Sequence, residues 1–89
     1  MYLFIYQTNF LLLFIDLNSE NHAGMTGFIL ACYWGRKYIV EMLIENSHYF
    51  KIDLTAKDNS GCSGYFWAKL KRKEDVIDII ERKMPTIAY

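Results

Sequence analysis

Shifted onto itself by 37 residues, the chain lays Ile15-Asp16-Leu17 over Ile52-Asp53-Leu54, Gly24 over Gly61, Ala31 over Ala68 and Ile39-Val40 over Val76-Ile77. A self-match at a fixed period of this length constrains the fold more than any single residue does. Units of this size cannot bury an apolar face alone and must stack on neighbours, so the spacing predicts a solenoid of helical repeats. The 89 residues hold about two full units and a partial one, and so small a core is marginal unless extra repeats or a partner support it.

Charge narrows the function classes. Lys plus Arg equal Asp plus Glu at ten each, so the chain has no global field with which to gather nucleic acid or an anionic membrane. Neither is expected as a partner, and binding must rest on local surface. Aromatic residues, at 17% of the chain, are the abundant component from which such a surface could be built. Cys32 and Cys62 lie far apart in sequence and no Asn-x-Ser/Thr sequon occurs, which predicts a reduced, intracellular and cytoplasmic protein.

The amino-terminal residues are strongly apolar, from Tyr2 to Tyr6 and again from Phe10 to Ile15. No Lys or Arg precedes them, no small-residue cleavage pattern closes them, and Gln7-Thr8-Asn9 interrupts them well short of a membrane span. The register gives a better account. It places Leu3 under Val40, Ile5 under Met42, Tyr6 under Leu43 and Asn9 under Asn46, so residues 1–14 are expected to be the second helix and loop of an earlier unit. Its unfinished apolar face is expected to support self-association through Tyr2 to Ile15.

Helix punctuation is readable within each unit. Thr26 and Ser63 stand just before apolar-rich runs, where a hydroxyl can accept backbone N–H bonds. The first helices are expected at about Gly27 to Trp34 and Gly64 to Lys71, with Gly35 free to take the positive φ of a C-terminal cap and Arg72 modestly strained at the matching place. The second helices are expected at about Lys37 to Asn46 and Glu74 to Lys83, burying Ile39, Val40 and Leu43 and, in the next unit, Val76, Ile77 and Ile80. Glu74 and Asp75 open the later helix, Arg82 and Lys83 close it with the sign its dipole favours, and Pro85 prevents continuation. Between the pairs, the alternation Ile52-Asp53-Leu54-Thr55 reads as extended backbone and Asp58-Asn59-Ser60-Gly61 as a turn, together a hairpin-like finger.

These residues resemble the ankyrin repeat family. Asp58-Asn59-Ser60-Gly61-Cys62-Ser63 matches its turn, the run from Gly24 to Arg36 matches its opening helix, and Ile39-Val40-Glu41-Met42-Leu43-Ile44 matches its second helix. The resemblance covers about Ile15 to Lys83 and implies an all-α solenoid, with one repeat at 15–51, a C-terminal capping repeat at 52–84 and a tail at 85–89. Lys69 and Glu81 occupy positions that a further repeat would cover, which is the reason for reading the second unit as a cap. Gly27 and Gly64 replace the family's proline, Ile29 and Phe66 replace its histidine, and the surplus over the family's 33 residues falls in a loop from Asn46 to Lys51.

The resemblance also implies a docking surface. In the family, partners usually bind the concave side made by finger tips and first helices. The matching positions here are Asn21, His22, Ala23, Met25, Leu30, Tyr33 and Trp34, then Asn59, Ser60, Cys62, Trp67, Leu70 and Lys71. The expected partner-binding set is therefore His22, Met25, Leu30, Tyr33, Trp34, Asn59, Ser60, Trp67, Leu70 and Lys71, with Trp34, Tyr33 and Trp67 as anchors or as packing over short helices. A non-catalytic protein-interaction module is the expected function. The alternative is a structural segment of a longer array, or a truncated reading frame, with no ligand of its own.

No catalytic constellation stands out. His22, His48, Cys32 and Cys62 lack the paired spacing of zinc ligands, and no nucleophile motif, phosphate-cradling Gly loop or dinucleotide fingerprint occurs. No metal, cofactor or enzyme activity is expected. The basic run Lys69-Leu70-Lys71-Arg72-Lys73 is followed at once by Glu74 and Asp75, which favours an ordinary solvated face over a nucleic-acid contact.

Overall fold

The computed structural model of the chain describes residues 18–86. The expectations placed on residues 1–14, on Tyr2 to Ile15 as an association face, on the Ile15-Asp16-Leu17 match and on the last residues of the tail lie outside the described residues.

Five helices occur there: α1 Gly27–Trp34, α2 Lys37–Glu45, α3 Ser47–Phe50, α4 Gly64–Leu70 and α5 Glu74–Lys83. The fold is all-α among the described residues, with a single isolated antiparallel bridge between Lys57 and Ser63. Each long pair is a helical hairpin, α1 with α2 and α4 with α5. The hairpins stack in parallel, α1 against α4 and α2 against α5. None of these helices is long and apolar enough to cross a membrane.

Helix ends recur in hydrogen bonding as they do in sequence. Thr26 Oγ1 accepts from the Ile29 amide at 3.3 Å, and Ser63 Oγ accepts from the Phe66 amide at 3.2 Å. At the other end, the Arg36 amide donates to Ala31 O at 2.9 Å and the Lys73 amide to Ala68 O at 2.8 Å. Both bonds close the helix through a residue in the left-handed region, Gly35 at φ 70° and Arg72 at φ 57°. Gly35 takes that conformation without a Cβ penalty, whereas Arg72 bears one.

Burial corrects the expected helix faces. Val40, Val76 and Ile80 are fully buried and Leu43 nearly so, but Ile39 is 45% exposed and Ile77 only partly buried. Ile44 and Ile79 take their places in the core. The reason is angular: Leu43 and Ile44 lie three and four residues after Val40, the spacing that returns to one face, whereas Ile39 is rotated to its edge. On the first helices Phe28, Ala31, Cys32 and Ala68 fill the seam. Gly64 makes that seam possible, because a Cβ there would stand 2.9 Å from Cys32 Sγ and 3.0 Å from the Phe28 ring. Burial in this apolar seam pushes the Cys32 thiol up to about 12, and it behaves as a small hydrophobe.

The connection between the pairs differs from expectation in two places. Asn46 to Lys51 is not plain loop but holds the one-turn helix α3, ended by Lys51 at φ 55°. Ser47 Oγ donates to Ile44 O at 2.8 Å and Asn46 Nδ2 to Met42 O at 2.8 Å, so polar side chains satisfy the last carbonyls of α2 and let the chain turn again. Ile52 to Thr55 forms no strand. Ile52 and Leu54 are buried and Asp53 and Thr55 exposed, but Asp53 Oδ1 accepts from both the amide and the hydroxyl of Thr55, folding the segment into a turn.

Candidate docking surface

The turn tips are built by one device used twice. Asn21 Oδ1 accepts from the Ala23 and Met25 amides at 2.9 and 3.0 Å, and Asp58 Oδ1 accepts from the Ser60 and Cys62 amides, each at 2.9 Å. Gly24 and Gly61 complete the two turns at φ 78° and 80°. The tips are then tied to each other. The Asn59 amide donates to Ala23 O at 2.9 Å, and Asn59 Nδ2 donates to His22 O at 3.1 Å. A further tie comes from Asn18, whose side chain accepts from the Asp53 amide at 2.8 Å and donates to Lys51 O at 2.9 Å.

Asp58 is the most constrained polar group of this surface. It is 8% exposed, and its second oxygen accepts from Trp67 Nε1 at 2.7 Å. The Cys62 amide, the Trp67 indole and the Ser60 amide together hold its carboxyl below the ordinary carboxylate range, outweighing the opposite effect of partial burial. The sequence marked Asp58 only as a turn residue. Its bond to α4 depends on tertiary placement and leaves no trace in local spacing.

Around that bond the aromatic side chains gather. Tyr33 packs edge-on to Trp34 at 4.9 Å and to Trp67 at 5.1 Å between ring centroids, Phe66 lies 6.3 Å from Trp67, and Lys71 Nζ sits 5.0 Å from the centre of the Tyr33 ring. Trp34 is 62% exposed and Leu70 57%, while Tyr33 and Trp67 are half-buried. The expected anchors therefore divide by role: Trp67 and Tyr33 are frame, and Trp34 is open.

Of the other expected positions, His22, Asn59, Ser60 and Lys71 are exposed and Leu30 is half-buried. Met25 is only 8% exposed and offers no docking surface, its amide held in the turn by the Asn21 side chain. Phe66, absent from the expected set, is half exposed beside Trp67. On the outer side of the second pair, Lys69 and Glu81 are exposed and joined through Tyr65, whose hydroxyl donates to Glu81 at 2.7 Å while Lys69 Nζ lies 5.2 Å from its ring.

Elsewhere, an open groove of about 560 Å³ runs past Ser47, His48, Asp53 and Met84. The Ser47 hydroxyl there is committed to Ile44 O and Asp53 Oδ1 to Thr55, so the groove holds no base aimed at a nucleophile. Among the described residues no group of three or more His, Cys, Asp or Glu side chains comes close enough to hold a metal ion. No protein-family model and no curated protein sequence matches the chain.

Proposed function

We propose that the chain is a non-catalytic protein-interaction module of the ankyrin-repeat type, acting inside the cell and binding a protein partner on the face made by α1, α4 and the two turn tips. The repeated helix hairpins, the stacked order of their helices and the paired turns tied through Asn59 support the repeat type. The observation that carries the binding reading is the exposure of Trp34 on α1 and of Phe66 and Leu70 on α4, beside a hydrogen-bonded frame. Exposed tryptophan on a rigid support is the residue type most enriched at binding hot spots, because it buries a large area at little entropic cost.

Affinity capture tests the reading. A partner held by the wild-type chain should be lost from the Trp34→Ala/Leu70→Ala variant, with the helical signal of the variant unchanged. It should be retained by Tyr38→Ala/Tyr49→Ala, which removes two exposed rings away from the first helices. A partner kept by the first variant and lost by the second would place binding on the opposite side. Partners lost from neither would favour a segment that fills an array and binds nothing itself.

A further inference from the structure

Formal neutrality conceals a one-sided charge distribution. The sequences of α1 and α4, GFILACYW and GYFWAKL, contain no Asp or Glu. The turns that follow them are basic, with Arg36 after the first and Lys71-Arg72-Lys73 after the second. The carboxylates of the helix pairs, Glu41, Glu45, Glu74, Asp75, Asp78 and Glu81, all lie on α2 and α5. Ion pairing follows the same division: Lys37–Asp75, Arg82–Asp78 and Lys83–Glu45 all belong to the second helices.

Arg36, Lys71, Arg72 and Lys73 enter no ion pair among the described residues. Two of them are fixed near the α1 rings. Lys71 stands over Tyr33, and the Lys73 side chain lies against Gly35 at the end of the helix that carries Trp34, 2.8 Å from where a Cβ on that glycine would be. Of the carboxylates nearby, Asp58 is already engaged by two amides and an indole and Asp75 by Lys37, which leaves Glu74, next in sequence to Lys73, as the acidic neighbour without an ion pair among the described residues. The exposed apolar side chains of α1 and α4 are thus bordered by four cations against one open carboxylate, an excess of positive charge.

We infer that this face takes an acidic peptide segment of the partner, with an apolar side chain seated at Trp34 and Leu70 and flanking carboxylates paired to Arg36, Lys71, Arg72 and Lys73. The inference rests on the docking face proposed above and adds the chemistry of what docks there. Carboxylates at the border supply selectivity and association rate, while the buried apolar anchor supplies most of the affinity. Single-stranded nucleic acid is disfavoured by the rings themselves. They meet at 63 to 82°, edge against face, and present no row of parallel platforms on which bases could stack.

Panning a phage-displayed library of random dodecamer peptides on the full chain tests this. The expected selection is enriched in Asp and Glu around Leu or an aromatic residue. A synthetic peptide so selected should bind the Arg36→Gln/Lys71→Gln variant about tenfold more weakly, with its helical content intact, and should weaken with added salt. Selection of neutral or basic peptides, or none above a blank surface, would overturn the inference, as would displacement of the selected peptide by oligo-dT. Unchanged affinity in the charge variant, with loss in Trp34→Ala/Leu70→Ala, would remove the acidic specificity and leave the docking face standing. Affinity that survives Trp34→Ala/Leu70→Ala would remove both.

Discussion

The Trp67 indole donates to the Asp58 carboxylate at 2.7 Å, fastening the second turn tip to α4. Because Asp58 Oδ1 also accepts from the Ser60 and Cys62 amides, one side chain shapes the tip and positions it against the helix. On the proposed docking face this tip is held by the chain itself, which would lower the ordering cost of binding.

That arrangement has a pH signature. The folded state lowers the pKa of Asp58, chiefly through the Cys62 amide and the Trp67 indole, so folding favours its charged form. The contribution is complete above the ordinary aspartate value of about 3.9 and is lost as pH falls through the lower, folded value. Asp58→Asn keeps the turn, as Asn21 does at the matching position, but loses the acceptor for Trp67. Urea unfolding should therefore find wild type more stable near neutral pH, with the difference closing below about pH 4. A constant difference would show that the carboxylate contributes no charge-dependent stability.

Gly27 and Gly64 occupy matching positions and should respond oppositely to alanine. A Cβ at Gly27 meets nothing within 4 Å, so Gly27→Ala should be neutral or stabilise by up to about 1 kcal/mol. At Gly64 the same methyl meets Cys32 Sγ at 2.9 Å and the Phe28 ring, and overpacking should destabilise by about 1 to 3 kcal/mol. Thermal melts of the two variants check the pair, and similar shifts would contradict the close approach of α1 and α4.

Most of the helical architecture was legible because local chemistry and the repeat agreed. Thr26, Ser63 and Gly35 marked helix ends by capping rules that need no tertiary knowledge. The helix α3 was missed because Ser47 to Phe50 carries no periodicity of its own and is held by side-chain bonds to the carbonyls of α2. Ile39 was misplaced in the core because adjacent apolar residues on a helix do not reveal which of them faces inward. The expected docking positions came from the family resemblance, but the bond of Asp58 to Trp67 and the openness of Phe66 arise only when the hairpins stack.

Val40 and Ile39 separate buried from merely apolar positions. Val40 is fully buried between the stacked second helices, and Val40→Ala should cost about 1 to 3 kcal/mol through lost burial and a residual cavity. Ile39→Ala, at a half-open position, should stay within about 0.5 kcal/mol. Chemical denaturation gives both values, and equal losses would mean that the α2 face is assigned incorrectly.

Arg72 is a residue with a Cβ where the preceding hairpin uses Gly35. Left-handed backbone costs a residue with a Cβ about 1 to 2 kcal/mol, partly offset in a glycine variant by the greater freedom of its unfolded chain. Arg72→Gly should therefore stabilise by about 0.5 to 1 kcal/mol. An equilibrium melt showing destabilisation would point to a structural role for the guanidinium.

Hydrogen–deuterium exchange with bound ligand, either a selected peptide or a captured protein, tests the docking face most directly. The account predicts added protection at the turn tips, in the last turns of α1 and α4 and through Arg36 and Lys71 to Lys73, with α2 and α5 changed little. Protection confined to α2 and α5, with the segments around Trp34 and Leu70 exchanging as in the free chain, would contradict it.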